Sequence, residues 1–196
     1  MSDMKDRMLR GELYIADDPE LAADYARAQR LLDRYNATLH DEQAERDELL
    51  RELLGGVGEG VLIKPSLRSE YGTYITIGAG TFVNYDCVML DVAPIAIGAA
   101  CQIAPRVQLL TATHPVDPQP RRDGWESGAP ISLADNVWLG GGVIVGPGVT
   151  IGEDTVVGAG SVVMRDLPAG VVAVGVPARV QREIGERDRL DPPPRG

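Results

Sequence analysis

Residues 133–164 read LADNVWLGGGVIVGPGVTIGEDTVVGAGSVVM. Leu133, Leu139, Val145, Ile151, Val157 and Val163 stand six residues apart without a slip. Small residues follow the first five (Ala134, Gly140, Gly146, Gly152, Gly158), and Met164 follows the last. Four residues after each aliphatic comes another small or β-branched side chain: Val137, Val143, Val149, Thr155, Ser161. A strict period of six is neither the 3.6 of a helix nor the alternation of a hairpin. It suits a parallel β-helix of triangular section, with one hexapeptide to a side and three to a coil. Coils then stack at about 4.8 Å. The aliphatic points inward, and the small residue after it is expected to turn the corner, where glycine is least hindered. A βαβ reading fails because no helical segments separate the strands.

The same period runs upstream through Ile77, Val83 and Met89. A two-residue insertion at Asp91-Val92-Ala93-Pro94 shifts the phase to Ile97, Ile103 and Leu109. Leu109 and Leu133 differ by a multiple of six, so the stretch between them stays outside the coil. That stretch, THPVDPQPRRDGWESGAP at 113–130, contains four prolines and is expected to be an extended, protruding loop. Residues 1–60 carry a different pattern. Asp18-Pro19 reads as an N-cap followed by proline in the first turn, opening a helix to Asn36 with Leu21, Tyr25, Leu32 and Tyr35 on one stripe. A second helix is expected from His40 to Leu54, stopped by Gly55-Gly56, and a short one within residues 4–13, ending at Gly11. The expected division is a helical region at 1–60, a β-helix at 61–180 with its loop, and a polar, proline-rich tail at 181–196 that frays. Residues 167–180 are expected to leave the β-helix.

Composition narrows the function. The 196 residues hold 19 Lys and Arg against 29 Asp and Glu, a net charge of −10, and the first 60 hold 8 basic and 15 acidic side chains. An acidic chain is a poor partner for nucleic acid or an anionic membrane. Two cysteines build no disulfide framework, and the N-terminus has no signal-like apolar segment, so a reducing, cytoplasmic setting is expected. His40 and His114 are the only histidines, too few for a three-histidine metal site, so no metal is expected to be required.

His114 stands where the repeat breaks into the loop, with Pro115 restricting its backbone, a place for a proton-abstracting imidazole. Asn84 follows the core residue Val83 where neighbouring repeats have Gly or Ala. It is either a functional amide or an Asn taking the corner in a left-handed conformation. Asp91 either caps the phase shift or faces a cleft. Cys87 and Cys101 fall in the register of buried fillers, not nucleophiles. The Gly-Pro-Gly at 146–148 and Gly-Ala-Gly at 158–160 are repeat corners rather than phosphate loops. Arg165, Arg179 and Arg182 cluster after the last coils, as solvated surface charge or as a phosphate site. Trp138 takes an outward slot, suited to a flat ligand or a neighbouring subunit.

Together these motifs resemble the hexapeptide-repeat acyltransferases, and among them the maltose and galactoside O-acetyltransferases. The resemblance covers nearly the whole chain. It is carried by Gly11-Glu12-Leu13-Tyr14, Arg34-Tyr35-Asn36, Asn84-Tyr85-Asp86-Cys87-Val88-Met89-Leu90-Asp91, Thr113-His114-Pro115, Asn136-Val137-Trp138-Leu139-Gly140 and Gly175-Val176-Pro177-Ala178-Arg179. It implies a left-handed β-helix assembled as a homotrimer, with acetyl-CoA and a sugar of maltose or glucose type bound between subunits. By resemblance, His114 is the general base and Asn84 stabilises the transition state. The implied acceptor contacts are Asp17, Glu70, Asn84, Asp91 and Glu126. The implied coenzyme contacts are Trp138, Gly141, Ala159, Met164, Arg165, Arg179 and Arg182, with Met164-Arg165 where the family often has Thr-Lys. The alternatives are a different acceptor (a galactoside, an antibiotic or serine) or a non-catalytic β-helix scaffold.

Overall fold

The computed structural model describes residues 3–193. Its body is a three-faced parallel β-solenoid of five full coils and a partial sixth. The first face stacks the strands around Val57, Ile77, Ile97, Leu133 and Ile151; the second those around Ile63, Val83, Ile103, Leu139, Val157 and Ala173. The third face stacks Ser69, Met89, Leu109, Val145 and Val163. All the expected inward aliphatics from Ile77 to Val163 are buried, as are Val137, Val143, Val149, Thr155 and Ser161.

The corner works differently from the expectation. Backbone φ turns positive three residues after most of the aliphatics, at Asp86, Ala100, Arg106, Asn136 and Asp154 with φ of 55–61° and at glycines such as Gly80 and Gly142, though not after Met89, Leu109 or Val163. Asn84 is not among them, which removes the left-handed reading of that residue. The residue directly after the aliphatic is small for another reason. A Cβ on Gly78 would lie 2.5 Å from the Ala99 amide nitrogen, and one on Gly140 2.6 Å from that of Ala159. The next coil's backbone occupies the space.

The solenoid begins one coil earlier than the period suggested. Gly56–Val57, Leu62–Ile63 and Leu67–Ser69 form the first coil, so the boundary expected at 60 and 61 cuts through it. Ser69 fills an inward position where later coils carry Met89 and Leu109, which hides that coil from an aliphatic count. The boundary expected at 180 and 181 also moves. Val171–Gly175 stays on the second face and pairs with Ala178–Glu183 in an antiparallel hairpin that closes the far end.

Three helices cover the near end: α1 (Asp3–Leu9), α2 (Pro19–Ala37) and α3 (Gln43–Leu53). The Asp18 side chain caps α2 by accepting from the Glu20 and Leu21 amides, as expected. Its buried stripe is Leu21, Ala28, Leu31, Leu32 and Tyr35; Tyr25 lies at the rim and is exposed. His40 lies before α3 rather than in it. Helix α1 ends in a Schellman turn, with Gly11 (φ 71°) donating to Met8 O and Glu12 to Arg7 O. Helix α2 binds the solenoid's first edge by polar contacts. Asn36 Nδ2 donates to Leu67 O at 2.9 Å while its Oδ1 accepts from Leu67 N at 2.8 Å, and Tyr35 Oη donates to Ile63 O at 2.7 Å. These bonds satisfy groups that an open sheet edge leaves unpaired.

Two glycines of one corner, Gly78 and Gly80, separate the stacking requirement from the left-handed one. Gly78→Ala sets a methyl against backbone and is expected to lower stability by about 1–3 kcal/mol. Gly80 has φ of 69° and open space around it, so Gly80→Ala is expected to lose only about 1 kcal/mol. Denaturant midpoints measure both, and equal losses would show that coil contact is not what keeps residue 78 small.

Candidate active site

The corner between the third and first faces is the irregular one. In each of the first two coils the step across it takes two extra residues, and a polar side chain from the coil above closes the bulge. Asp91 Oδ1 accepts from the Glu70 amide at 3.0 Å and the Tyr71 amide at 2.9 Å, and Oδ2 from the Tyr74 amide at 3.2 Å. Thr111 Oγ1 donates to Leu90 O at 2.6 Å and accepts from the Ala93 amide at 3.0 Å. Asp91 therefore caps. With no exposed surface it touches no acceptor, which corrects that expectation: the side chain acts on the site by fixing the backbone on either side of Glu70 and Tyr71.

In the third coil the same corner releases the loop, which is more structured than expected. Ala112–Thr113 and Trp125–Gly128 pair antiparallel around a short helix α4 (Pro118–Arg122), and Tyr14–Ile15 from the head adds a third strand. Tyr14 stands opposite Glu126 and Ala112 opposite Gly128. Alternation along the strands puts these on one side of the small sheet. Gly128 lets that side close on the solenoid, since a Cβ there would lie 2.9 Å from Val92 Cγ2. Two residues beyond Ala112, His114 presents Nε2 at 3.9 Å from Glu126 Oε2. That separation is too long for a hydrogen bond and within the range of an ion pair. The His114 side chain is 58% exposed and that of Glu126 18%.

Beneath them lies an acidic, half-dry floor. Burial, and then the charges of Asp91 and Glu126, hold the Glu70 carboxyl above its usual range. Tyr14 is fully buried, and burial with the neighbouring Glu126 raises its hydroxyl pKa. Tyr71 is raised by burial and then by Glu70 and Glu126. Sequence reasoning missed Tyr14 and Tyr71 as site residues. Tyr14 was visible only as part of a head motif, and the strand pairing that carries it to Glu126 spans over a hundred residues. Asp17 is exposed two residues beyond Ile15.

The other expected residues sort by corner. Between the second and third faces, Asn84 stands in the column of residues that directly follow Val83, Ile103, Leu139 and Val157; Gly141 and Ala159 stand one residue beyond it on two later coils, and Arg179, opposite Val174, tops the corner. The column passes Ala104, Gly140 and Gly158, so it is poor in side chains along its length. Asn84 Oδ1 accepts from the Tyr85 amide at 2.9 Å. Asn84, Phe82, Gln102, Ala104 and the half-exposed Trp138 line a hollow of about 130 Å³. Met164 and Arg165 follow Val163 at the other corner, the one that bears His114. Arg182, opposite Val172, is in a two-point ion pair with Asp188.

One chain does not bring His114 and Asn84 together. Asn84 precedes Cys87–Leu90 on the third face, whereas His114 follows Gln108–Leu110 on the same face. The width of that face, roughly 15 Å of extended chain, lies between them.

Comparison with known proteins agrees with this architecture. Residues 7–58 match the family described as maltose acetyltransferase hexapeptide capping motif, and 130–165 the bacterial transferase hexapeptide family of six repeats. Nodulation protein L of Rhizobium meliloti (strain 1021) is 50% identical over 177 residues, covering 90% of this chain and 97% of that protein. The crystal structure of a maltose O-acetyltransferase from Clostridium difficile 630 superposes with a TM-score of 0.93 at 45% identity, covering 94% of this chain and 99% of the other. A galactoside acetyltransferase in complex with coenzyme A gives 0.92 at 35% identity, covering 96% and 94%.

The raised Glu70 carboxyl has a stability consequence. Its folded-state pKa lies above the unfolded one, so the folded protein holds the proton more tightly and loses stability as pH rises through that interval. Glu70→Gln mimics the protonated form. It is expected to raise the melting temperature at pH 7 relative to the parent and to give no gain at pH 4. A gain of equal size at both pH values would exclude the ionisation as its cause.

Proposed function

Because the chain belongs to the hexapeptide-repeat acetyltransferases of the maltose and galactoside O-acetyltransferase type, we propose that it moves an acetyl group from acetyl-CoA to a hydroxyl of a sugar of maltose or glucose type. The observation that carries this reading is the His114–Glu126 pair, held at the mouth of the loop on a corner of the solenoid. A thioester is already activated, so the reaction needs a base for the hydroxyl and a donor for the oxygen that becomes negative. His114 takes the hydroxyl proton as the oxygen attacks the carbonyl carbon. Glu126 stabilises the resulting imidazolium. As the carbon–sulfur bond breaks, the proton returns to the thiolate of the leaving coenzyme. The Asn84 amide donates to the carbonyl oxygen. General-base help of this kind is worth on the order of 10²–10⁴ in rate, and one such donor roughly 3–4 kcal/mol.

Transfer is direct. Cys87 and Cys101 are buried, and burial pushes the Cys87 thiol up to about 11, far from a thiolate at neutral pH. Glu70, Glu126 and Asp17 accept hydrogen bonds from sugar hydroxyls. The bare corner at Gly141 and Ala159 gives an extended pantetheine arm close access to backbone, Trp138 flanks it, and Met164 borders the coenzyme on the opposite wall. Arg165, Arg179 and Arg182 meet phosphates.

The two corners explain why the site belongs to an assembly. His114, Glu70, Glu126, Met164 and Arg165 stand on one corner, and Asn84, Trp138, Gly141, Ala159 and Arg179 on or beside another. A groove between the first corner of one subunit and the second corner of its neighbour holds a complete set. In a closed homotrimer every subunit contributes both corners, giving three equivalent sites.

Two variants and their mixture test this reading. His114→Ala is expected to lower kcat for acetyl transfer to maltose by 10²–10⁴-fold, on the order of a lost general base, and Asn84→Ala by about 10²-fold. Folded His114→Ala protein with near-normal turnover would remove the assigned base. Co-expressed His114→Ala and Asn84→Ala chains are expected to regain activity that neither has alone, since one site in a mixed trimer draws both intact residues. Mixed oligomers, verified by two affinity tags, that show no recovery would rule out the shared site.

A further inference from the structure

The C-terminal segment holds one of the proposed phosphate ligands in a clasp. Arg182 Nη1 donates to Asp188 Oδ2 at 2.7 Å and Nη2 to Asp188 Oδ1 at 2.8 Å, a two-point pairing that matches the guanidinium fork to the carboxylate. The carboxylate is itself fixed. Its Oδ2 accepts from the Gly185 amide at 2.9 Å, and residues 186–188 form one turn of 3-10 helix that returns the chain towards the closing hairpin. The side chains remain 35% and 26% accessible, so the pair lies within reach of a soluble anion. Arg165 and Arg179 are exposed, and neither has an acidic partner among the described residues. Arg182 alone of the three carries its own anion.

Resting on the reading that Arg182 meets coenzyme phosphate, we propose that Asp188 is an affinity- and specificity-determining residue that occupies the Arg182 guanidinium until a phosphate group displaces it. A phosphate presents the same two-oxygen edge as a carboxylate with more negative charge. A ligand that delivers phosphate to Arg182 therefore overcomes the clasp, and a thioester without phosphate gains nothing from doing so. Asp188 lowers the affinity for every ligand that needs Arg182, and it leaves ligands that do not need Arg182 untouched. When the phosphate leaves, the carboxylate returns to the guanidinium, which favours release of the spent coenzyme. The Arg182 pairing, then the Gly185 amide, hold the Asp188 carboxyl down at about 2, so the competitor stays charged throughout the neutral range.

Calorimetry with CoA on the full chain and three variants tests this. Asp188→Asn is expected to tighten CoA binding several-fold and to leave the affinity for acetyl-pantetheine, which has no nucleotide phosphate, unchanged. Arg182→Ala is expected to weaken CoA binding, and adding Asp188→Asn to Arg182→Ala to change nothing further. If Arg182→Ala binds CoA as the parent does, the phosphate role of Arg182 falls, and the clasp with it. If Arg182→Ala weakens binding but Asp188→Asn leaves it unchanged or weaker, the competition alone is overturned. Tightening by Asp188→Asn of equal size without Arg182, or with acetyl-pantetheine, would assign the effect to general charge and also overturn it. The Asn variant keeps the size of the side chain, and an unchanged melting profile checks that the hairpin is intact.

Discussion

The structure depends on one contact, the stacking of each coil's backbone on the next at strand spacing. Each inward aliphatic removes its side chain from water, worth about 1.5–3 kcal/mol when burial is complete, but only if adjacent coils stay in hydrogen-bonded register. The register in turn dictates what the corners hold. Where glycine directly follows the aliphatic, as at Gly78 and Gly140, the neighbouring coil's amide nitrogen stands where a Cβ would go. Three residues on, the chain reverses with positive φ, and short polar residues such as Asn136 and Asp154 serve as well as glycine. The hexapeptide is thus a record of two separate steric demands.

Chemistry enters where the repeat is broken. The corner between the third and first faces takes extra residues in three successive coils, and each break exposes backbone amides that need an acceptor. Asp91 supplies one for the first bulge and Thr111 for the second, while the third becomes the loop that carries His114 and Glu126. The opposite corner keeps the strict repeat and yields a smooth column. One of the two corners is therefore rich in polar side chains, and the other is poor in side chains along much of its length.

The period made the coils from Ile77 onward legible, because aliphatics six apart suit neither a helix face nor a hairpin and leave the triangular coil. Ser69 concealed the first coil, since an aliphatic count passes over a serine. The short helix and strands of the loop were hidden by four prolines, and the small sheet is completed only when Tyr14–Ile15 arrives from the head to pair with it. Family likeness singles out His114, Glu70 and Glu126, and the fold sets Glu126 near both of the others. That Asn84 and His114 occupy opposite ends of a face could be read once the hexapeptides were assigned to sides. Asp188 gave no signal, because a tail of mixed charge looks like solvated surface until its partner is seen.

The amide of Asn36, bonded on both sides to Leu67, has a meaning beyond holding a helix in place. A solenoid is by construction an unfinished object whose terminal coil offers the same template that the previous coil offered it. Left bare, such an end invites another molecule to continue the stack, and a stack that never closes is a filament. By engaging that edge with a side chain that cannot be extended, the head makes the fold finite at that end.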